Sequence, residues 1–125
     1  NRNLLIEKIT KSKKWNNQFQ FISVPKNIDP SWMGLPILLS ERFKNKKKIF
    51  VNLLDKIGIE TRPIISGNFA NQPAAKLYKL CKKNEKFEKS QNVQDLGFLI
   101  GLHTRKISKS NLKLIHDAFF MIDQI

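Results

Sequence analysis

Phe50, Leu53, Leu54 and Ile57 fall at i, i+3, i+4 and i+7, and Gly58 follows at once. No other feature constrains the chain as strongly. The four residues make one apolar helical stripe. A glycine directly after such a stripe occupies the position where a helix ends in a left-handed residue. Ser40 is a suitable N-cap, so the spacing predicts a helix from there through Ile57. Ile59–Ser66, IETRPIIS, is then a β-rich run that leads into a turn at Gly67-Asn68. Pro73 can open a short helix reaching about Leu80. A long helix feeding a strand through a glycine stop commits the chain to a mixed α and β fold.

The remaining segments fit that class. Residues 1–14 carry Leu4, Leu5 and Ile9 among polar neighbours, which suggests the end of a helix arriving from another domain. Gln18–Val24 alternates well enough for a short strand, and Asp29-Pro30 marks a turn. Ser31–Leu39, SWMGLPILL, reads as a strand. Pro36 pushes it toward an edge or a bulge, because proline cannot donate to a ladder. Cys81–Gln91 is polar and lysine-rich, a loop with some helical character. Gly97–Leu102, GFLIGL, is an apolar run of strand length with both faces expected to be covered. Ser108 or Ser110 caps a last helix whose buried stripe is Leu112, Ile115, Phe119 and Ile122. The expected fold is α/β of the α+β kind: a two-layer sandwich with a small sheet and helices on one face. Residues 15–125 would form one domain, entered by the helix end at 1–14.

Composition narrows the function classes. The chain of 125 residues carries a net charge of +13, but 19 Lys against 4 Arg supply it, beside 12 Asn and 15 Ile. That profile is what A/T-rich codon usage produces. Arg, which grips phosphates and base edges with paired hydrogen bonds, is scarce. The runs Lys44–Lys48 and Lys82–Lys89 lack the interleaved aromatics of single-strand binders and read as solvated surface. A nucleic-acid partner is therefore not expected, and a basic nucleic-acid-binding module or a purely structural or dimerisation domain stands as the alternative function. No stretch has the length of a membrane span, and the N-terminal residues do not resemble a signal peptide. The lone Cys81 cannot form an internal disulfide, and no cysteine cluster offers a metal site. A cytoplasmic setting follows as the default.

No catalytic constellation stands out. His103 and His116 lie on different expected elements, His116 on a helix face, and the carboxylates are scattered. There is no phosphate loop and no dinucleotide fingerprint. Two places could contact a ligand. Thr61-Arg62-Pro63 followed by Ser66-Gly67-Asn68-Phe69 puts a planar guanidinium and an amide near the end of a strand. The plainer alternative is a surface ion pair for Arg62 and an ordinary turn at Gly67-Asn68. His103, at the end of the GFLIGL run, can contact a substrate or bond a backbone carbonyl.

The order SWMGLPILL, helix, GIETRPIISGNFANQP, GFLIGLH and a Ser-capped helix is similar to the C-terminal part of DegT/StrS-type enzymes. It most resembles the branch acting on GDP- or CDP-4-keto-6-deoxyhexoses, which includes the 3-dehydrases and perosamine synthases of lipopolysaccharide O-antigen assembly. The similarity runs from about Ser31 to Ile125. It rests on T-R-P-x-x-x-G-N-F with Gln72-Pro73; Thr104–Lys106 departs from the branch pattern. The resemblance implies a pyridoxal phosphate enzyme, usually a homodimer, with a nucleotide sugar as substrate and glutamate as amino donor. Its large cofactor-binding domain, with the lysine or histidine that defines the chemistry, is not in this sequence. On that resemblance, Arg62 would bind an anion, Asn68 would hydrogen-bond a ligand, Phe69 would pack as a cleft wall, and His103 would touch substrate. By itself this chain would be inactive.

Overall fold

The structure is a computed structural model that describes residues 1–82 and 85–125. Lys83 and Asn84, inside the expected loop Cys81–Gln91 and the lysine run Lys82–Lys89, lie outside the described residues. Helix α1 (Arg2–Thr10) precedes strands β1 (Phe19–Phe21) and β2 (Gly34–Leu39). A 3₁₀ helix at Glu41–Lys46 continues into α2 (Lys47–Lys56), then β3 (Thr61–Arg62), a 3₁₀ turn at Phe69–Asn71 and α3 (Pro73–Leu77). The chain closes with α4 (Glu88–Leu96), β4 (Gly97–Gly101), α5 (Lys109–Phe119) and a 3₁₀ helix at Phe120–Gln124. Four strands form one antiparallel sheet in the order β1-β2-β4-β3. This is the α+β sandwich expected. Among the described residues no helix is long and apolar enough to cross a membrane.

Alternation along the strands divides the sheet into two unlike faces. Leu35 pairs with Ile100 and Ile37 with Phe98, while Phe19 pairs with Leu39, and these side chains are buried. Phe50 and Leu54 from α2 and Phe119 from α5 join the same core, together with Leu5 and Ile9 of α1. Four phenylalanines connect the layers. Phe19 lies 4.9 Å from Phe119, and Phe50 meets both Phe98 and Phe119 edge-on at 5.9 and 6.2 Å. Across the opposite face run Pro36, Leu99 and Arg62 in one row, and Gln20 and Leu38 in the next. Leu38 and Leu99 are only half-buried there, and Gln20, Arg62 and Gly101 are exposed. The expectation that GFLIGL is covered on both faces is corrected: one face is sealed and the other partly open.

Several elements differ from their sequence spacing for identifiable reasons. β2 is a central strand, not an edge. Pro36 is tolerated because β1 stops at Phe21 opposite Ile37, so the β1 ladder never reaches it. The run 59–66 contributes two ladder residues only, since Pro63 has no N–H to donate and the chain turns at Ile65. Ser40 gives no side-chain cap, and the helix starts with i→i+3 bonds such as Phe43 N–H to the Ser40 carbonyl at 2.9 Å. Glu88–Leu96 is a helix running directly into β4, held by tertiary contacts that local composition does not reveal. Ser108 does cap α5, accepting from Asn111 N–H at 3.1 Å.

α2 ends in a Schellman motif. Gly58, at φ +86, donates to Asp55, and Ile59 donates to Leu54 at 2.9 Å. α3 ends the same way, with Leu80 donating to Ala75 at 3.0 Å, but its left-handed position holds Lys79 at φ +53. The pair gives opposite expectations in urea titrations. Gly58→Ala should destabilise by about 1 kcal/mol, and Lys79→Gly should stabilise by about 0.5–1 kcal/mol. Phe119→Ala should cost about 3–5 kcal/mol, because it empties the centre of the aromatic cluster.

Candidate functional site

Arg62 is exposed on the open face, where its guanidinium meets the Glu60 carboxylate at 2.7 Å. Both side chains are more than two-thirds exposed, so the pair contributes little and leaves Arg62 free to turn toward another anion. Past Pro63 the chain folds through Ile64–Gly67, where Gly67 N–H donates to the Ile64 carbonyl at 3.0 Å. Ile65, β-branched, sits at φ +34 with its side chain 88% exposed. That conformation is strained for such a residue, and its apolar surface is in water.

A set of amides pins this loop to α4. Asn68 is 6% exposed. Its Nδ2 donates to Gln91 Oε1 at 3.0 Å, its Oδ1 accepts from Ala70 N–H, and its own N–H donates to Gln94 Oε1. Asn71 Nδ2 donates to the same two glutamine oxygens, at 2.8 and 3.2 Å. Gly67 permits this close seating at φ +58, because a Cβ there would lie 2.8 Å from Gln94 Cβ. Asn68 thus uses its amide inside the protein as a clip, while Phe69 beside it is 48% exposed. On α4 the network continues through Gln91 to Asp95, which pairs with Lys44 at 3.0 Å.

Lys47 belongs to the run read from sequence as solvated surface, yet it is half-buried beneath this loop. Its Nζ donates to the Gln94 carbonyl at 2.6 Å, and burial lowers its pKa against the opposing pull of Asp95. Lys47 lines a cavity of about 260 Å³ together with Ile64, Ser66, Gly67 and Gln72. The cavity is smaller than the ~300–1,000 Å³ of pockets that enclose small molecules. Asn68, Ala70, Asn71 and Gln91 also border an open cavity of about 1020 Å³.

His103 is elsewhere. β3 is antiparallel to β4, so the chain beyond Arg62 travels toward Gly97, the start of β4, whereas His103 follows its end. The structure therefore brings Arg62, Asn68 and Phe69 into one region and leaves His103 at the opposite end of the strand. His103 is exposed, and its Nδ1 accepts from Arg105 N–H at 2.9 Å.

Two arrangements have no counterpart in the sequence reading. Gln91 and Gln94, spaced i and i+3, would have been recognisable as one helix face had α4 been anticipated. Ser12, His116 and Asp117 also meet: His116 Nε2 lies 3.1 Å from Ser12 Oγ and Nδ1 lies 2.9 Å from Asp117 Oδ1. Ser12 and His116 are 104 residues apart, so spacing offers no signal. The group ties the turn after α1 to α5. Among the described residues no cluster of His, Cys, Asp and Glu could hold a metal ion. Comparison with known proteins gives no match to any family model and none to a curated protein.

Two measurements check this geometry. Asn68→Ala should cost about 1–3 kcal/mol in urea titration, and hydrogen exchange should accelerate in the 64–71 loop before anywhere in the sheet. Lys113 and His116 hold the Asp117 carboxyl down to about 2 from its ordinary 3.8. The stabilisation it brings is full above about pH 4 and is lost as pH falls toward its folded value. The urea midpoint of the native chain should therefore exceed that of Asp117→Asn at neutral pH, and the gap should close in strong acid.

Proposed function

We propose that the chain is the C-terminal, substrate-closing domain of a pyridoxal phosphate enzyme of the DegT/StrS type. The enzyme acts on a nucleotide-linked 4-keto-6-deoxy sugar, as a 3-dehydrase or an aminotransferase, in lipopolysaccharide O-antigen biosynthesis in the cytoplasm. The observation that carries this reading is the state of the T-R-P-x-x-x-G-N-F loop. A buried asparagine clip holds Ile65 strained and 88% exposed, next to a half-exposed Phe69. Adjacent exposed apolar side chains of this kind are a common mark of a surface that another one covers. Arg62 stands in the adjoining row, with a weak partner that a ligand anion can displace.

These residues contribute one wall of the cleft in this reading, and no step of the chemistry is assigned to them. The lysine or histidine that separates amino transfer from dehydration belongs to the large domain. Glutamate would be the amino donor in the former case, and a homodimer the working assembly.

Arg62→Ala in the full-length enzyme tests this reading. Loss of about tenfold or more in kcat/KM, with dimer mass and cofactor absorbance unchanged, is the expected result. Normal turnover with a broken dimer would reassign the loop to a subunit contact.

A further inference from the structure

At the turn after α1 a hydroxyl, an imidazole and a carboxylate are joined in series. Ser12 follows the last residue of α1 by two positions, and His116 and Asp117 are consecutive on α5. Asp117 Oδ1 lies 2.9 Å from His116 Nδ1, and its Oδ2 accepts from Lys113 Nζ at 2.6 Å. With its pKa held at about 2, chiefly by the Lys113 bond, this carboxyl is ionised at neutral pH and can only accept. Nδ1 therefore carries the proton of the neutral ring, and Nε2 is left as an acceptor. Nε2 faces Ser12 Oγ at 3.1 Å, so the hydroxyl donates to it. That polarity is the one in which an imidazole can take a proton from a serine.

The three groups are also held in place. The His116 ring packs edge-on against buried Phe120, with centroids 5.0 Å apart. The His116 side chain is 16% exposed, whereas Ser12 is half-buried and can be reached from solvent. Lys14 N–H donates to Ser12 Oγ at 3.3 Å, which occupies one lone pair and leaves the other for attack. Lys13 N–H makes no hydrogen bond among the described residues. It belongs to the residue after the hydroxyl, the position from which a backbone N–H commonly stabilises an oxyanion. A tie between the turn and α5 would be satisfied by either ring tautomer. The Lys113–Asp117 pair selects the one that activates the hydroxyl.

We propose that Ser12 is a nucleophile toward carboxylic esters, with His116 as its general base and Asp117 as the residue that positions the ring. Attack joins Oγ to the ester carbonyl carbon while the Oγ proton passes to His116 Nε2. The bond from that carbon to the alcohol oxygen then breaks, and Nε2 gives the proton to the leaving oxygen. Water repeats the sequence on the acyl-serine, with His116 again taking and returning the proton. The carboxylic acid is released and the hydroxyl restored. None of these residues belongs to the Arg62–Phe69 loop, so this activity stands or falls independently of the function proposed above.

The test is treatment of the full-length protein with an alkyl fluorophosphonate, which phosphonylates an activated serine and releases fluoride. Peptide mass mapping then locates the label, and hydrolysis of p-nitrophenyl acetate is followed in parallel. The expected result is a label at Ser12 and none at the exposed Ser66. His116→Gln should slow labelling by about 100-fold. Asp117→Asn should slow it as well while the urea transition stays cooperative, an effect that a purely structural role would not produce. Where His116→Gln fails to fold, Asp117→Asn decides, since the Asp117 side chain is 47% exposed. Steady-state ester hydrolysis should be about tenfold or more faster for the native protein than for Ser12→Ala. Absence of label at Ser12 overturns the proposal. Equal labelling of the native protein and the folded variants also overturns it, as does equal ester hydrolysis by the native protein and Ser12→Ala.

Discussion

Phe98 lies 5.9 Å from Phe50 and 6.5 Å from Phe119, and Phe19 lies 4.9 Å from Phe119. Through these contacts two strands that are not neighbours are fixed to two helices far apart in sequence. Each ring pair adds about 0.5–1.5 kcal/mol beyond the area it buries. The cluster also decides which way the sheet faces. With Phe98 and Ile100 turned inward, alternation obliges Leu99 and its cross-strand neighbours Pro36 and Arg62 to face outward. The open face and its arginine are thus consequences of where the core lies.

The same constraint separates the two regions of interest. β4 is sealed on one face by the phenylalanines and carries a loop network at each end. At its start the amides of Asn68, Asn71, Gln91 and Gln94 fix the strained Ile65 turn. Beyond its end Asn1 gathers the chain around His103. One rigid strand therefore positions two separate surfaces, one apolar with an arginine beside it and the other carrying His103.

What the sequence made legible was whatever local periodicity controls. The α2 stripe and its Gly58 stop are in place, as are β4 and the Ser108-capped α5 with Phe119 and Ile122 buried. What escaped was decided by distant partners. Pro36 reads as an edge signal, yet the short reach of β1 lets it sit in a central strand. Glu88–Leu96 is polar, and its helix depends on Lys44 and on the amides of the 68–71 loop. The partners that the Asn68 amide takes on α4 are likewise set by a helix that the local sequence does not announce. Lys47 looks like any other member of its run until the loop is seated above it.

The proposed function requires that the Ile64–Phe69 loop be covered when substrate is held. Hydrogen exchange of that loop in the full-length enzyme tests it most directly, compared with and without pyridoxal phosphate and a bound nucleotide sugar. Exchange in the loop should slow when both are present, with the strands around Phe98 unchanged. Equal exchange in the two states, with the ligand shown to be bound, would contradict it.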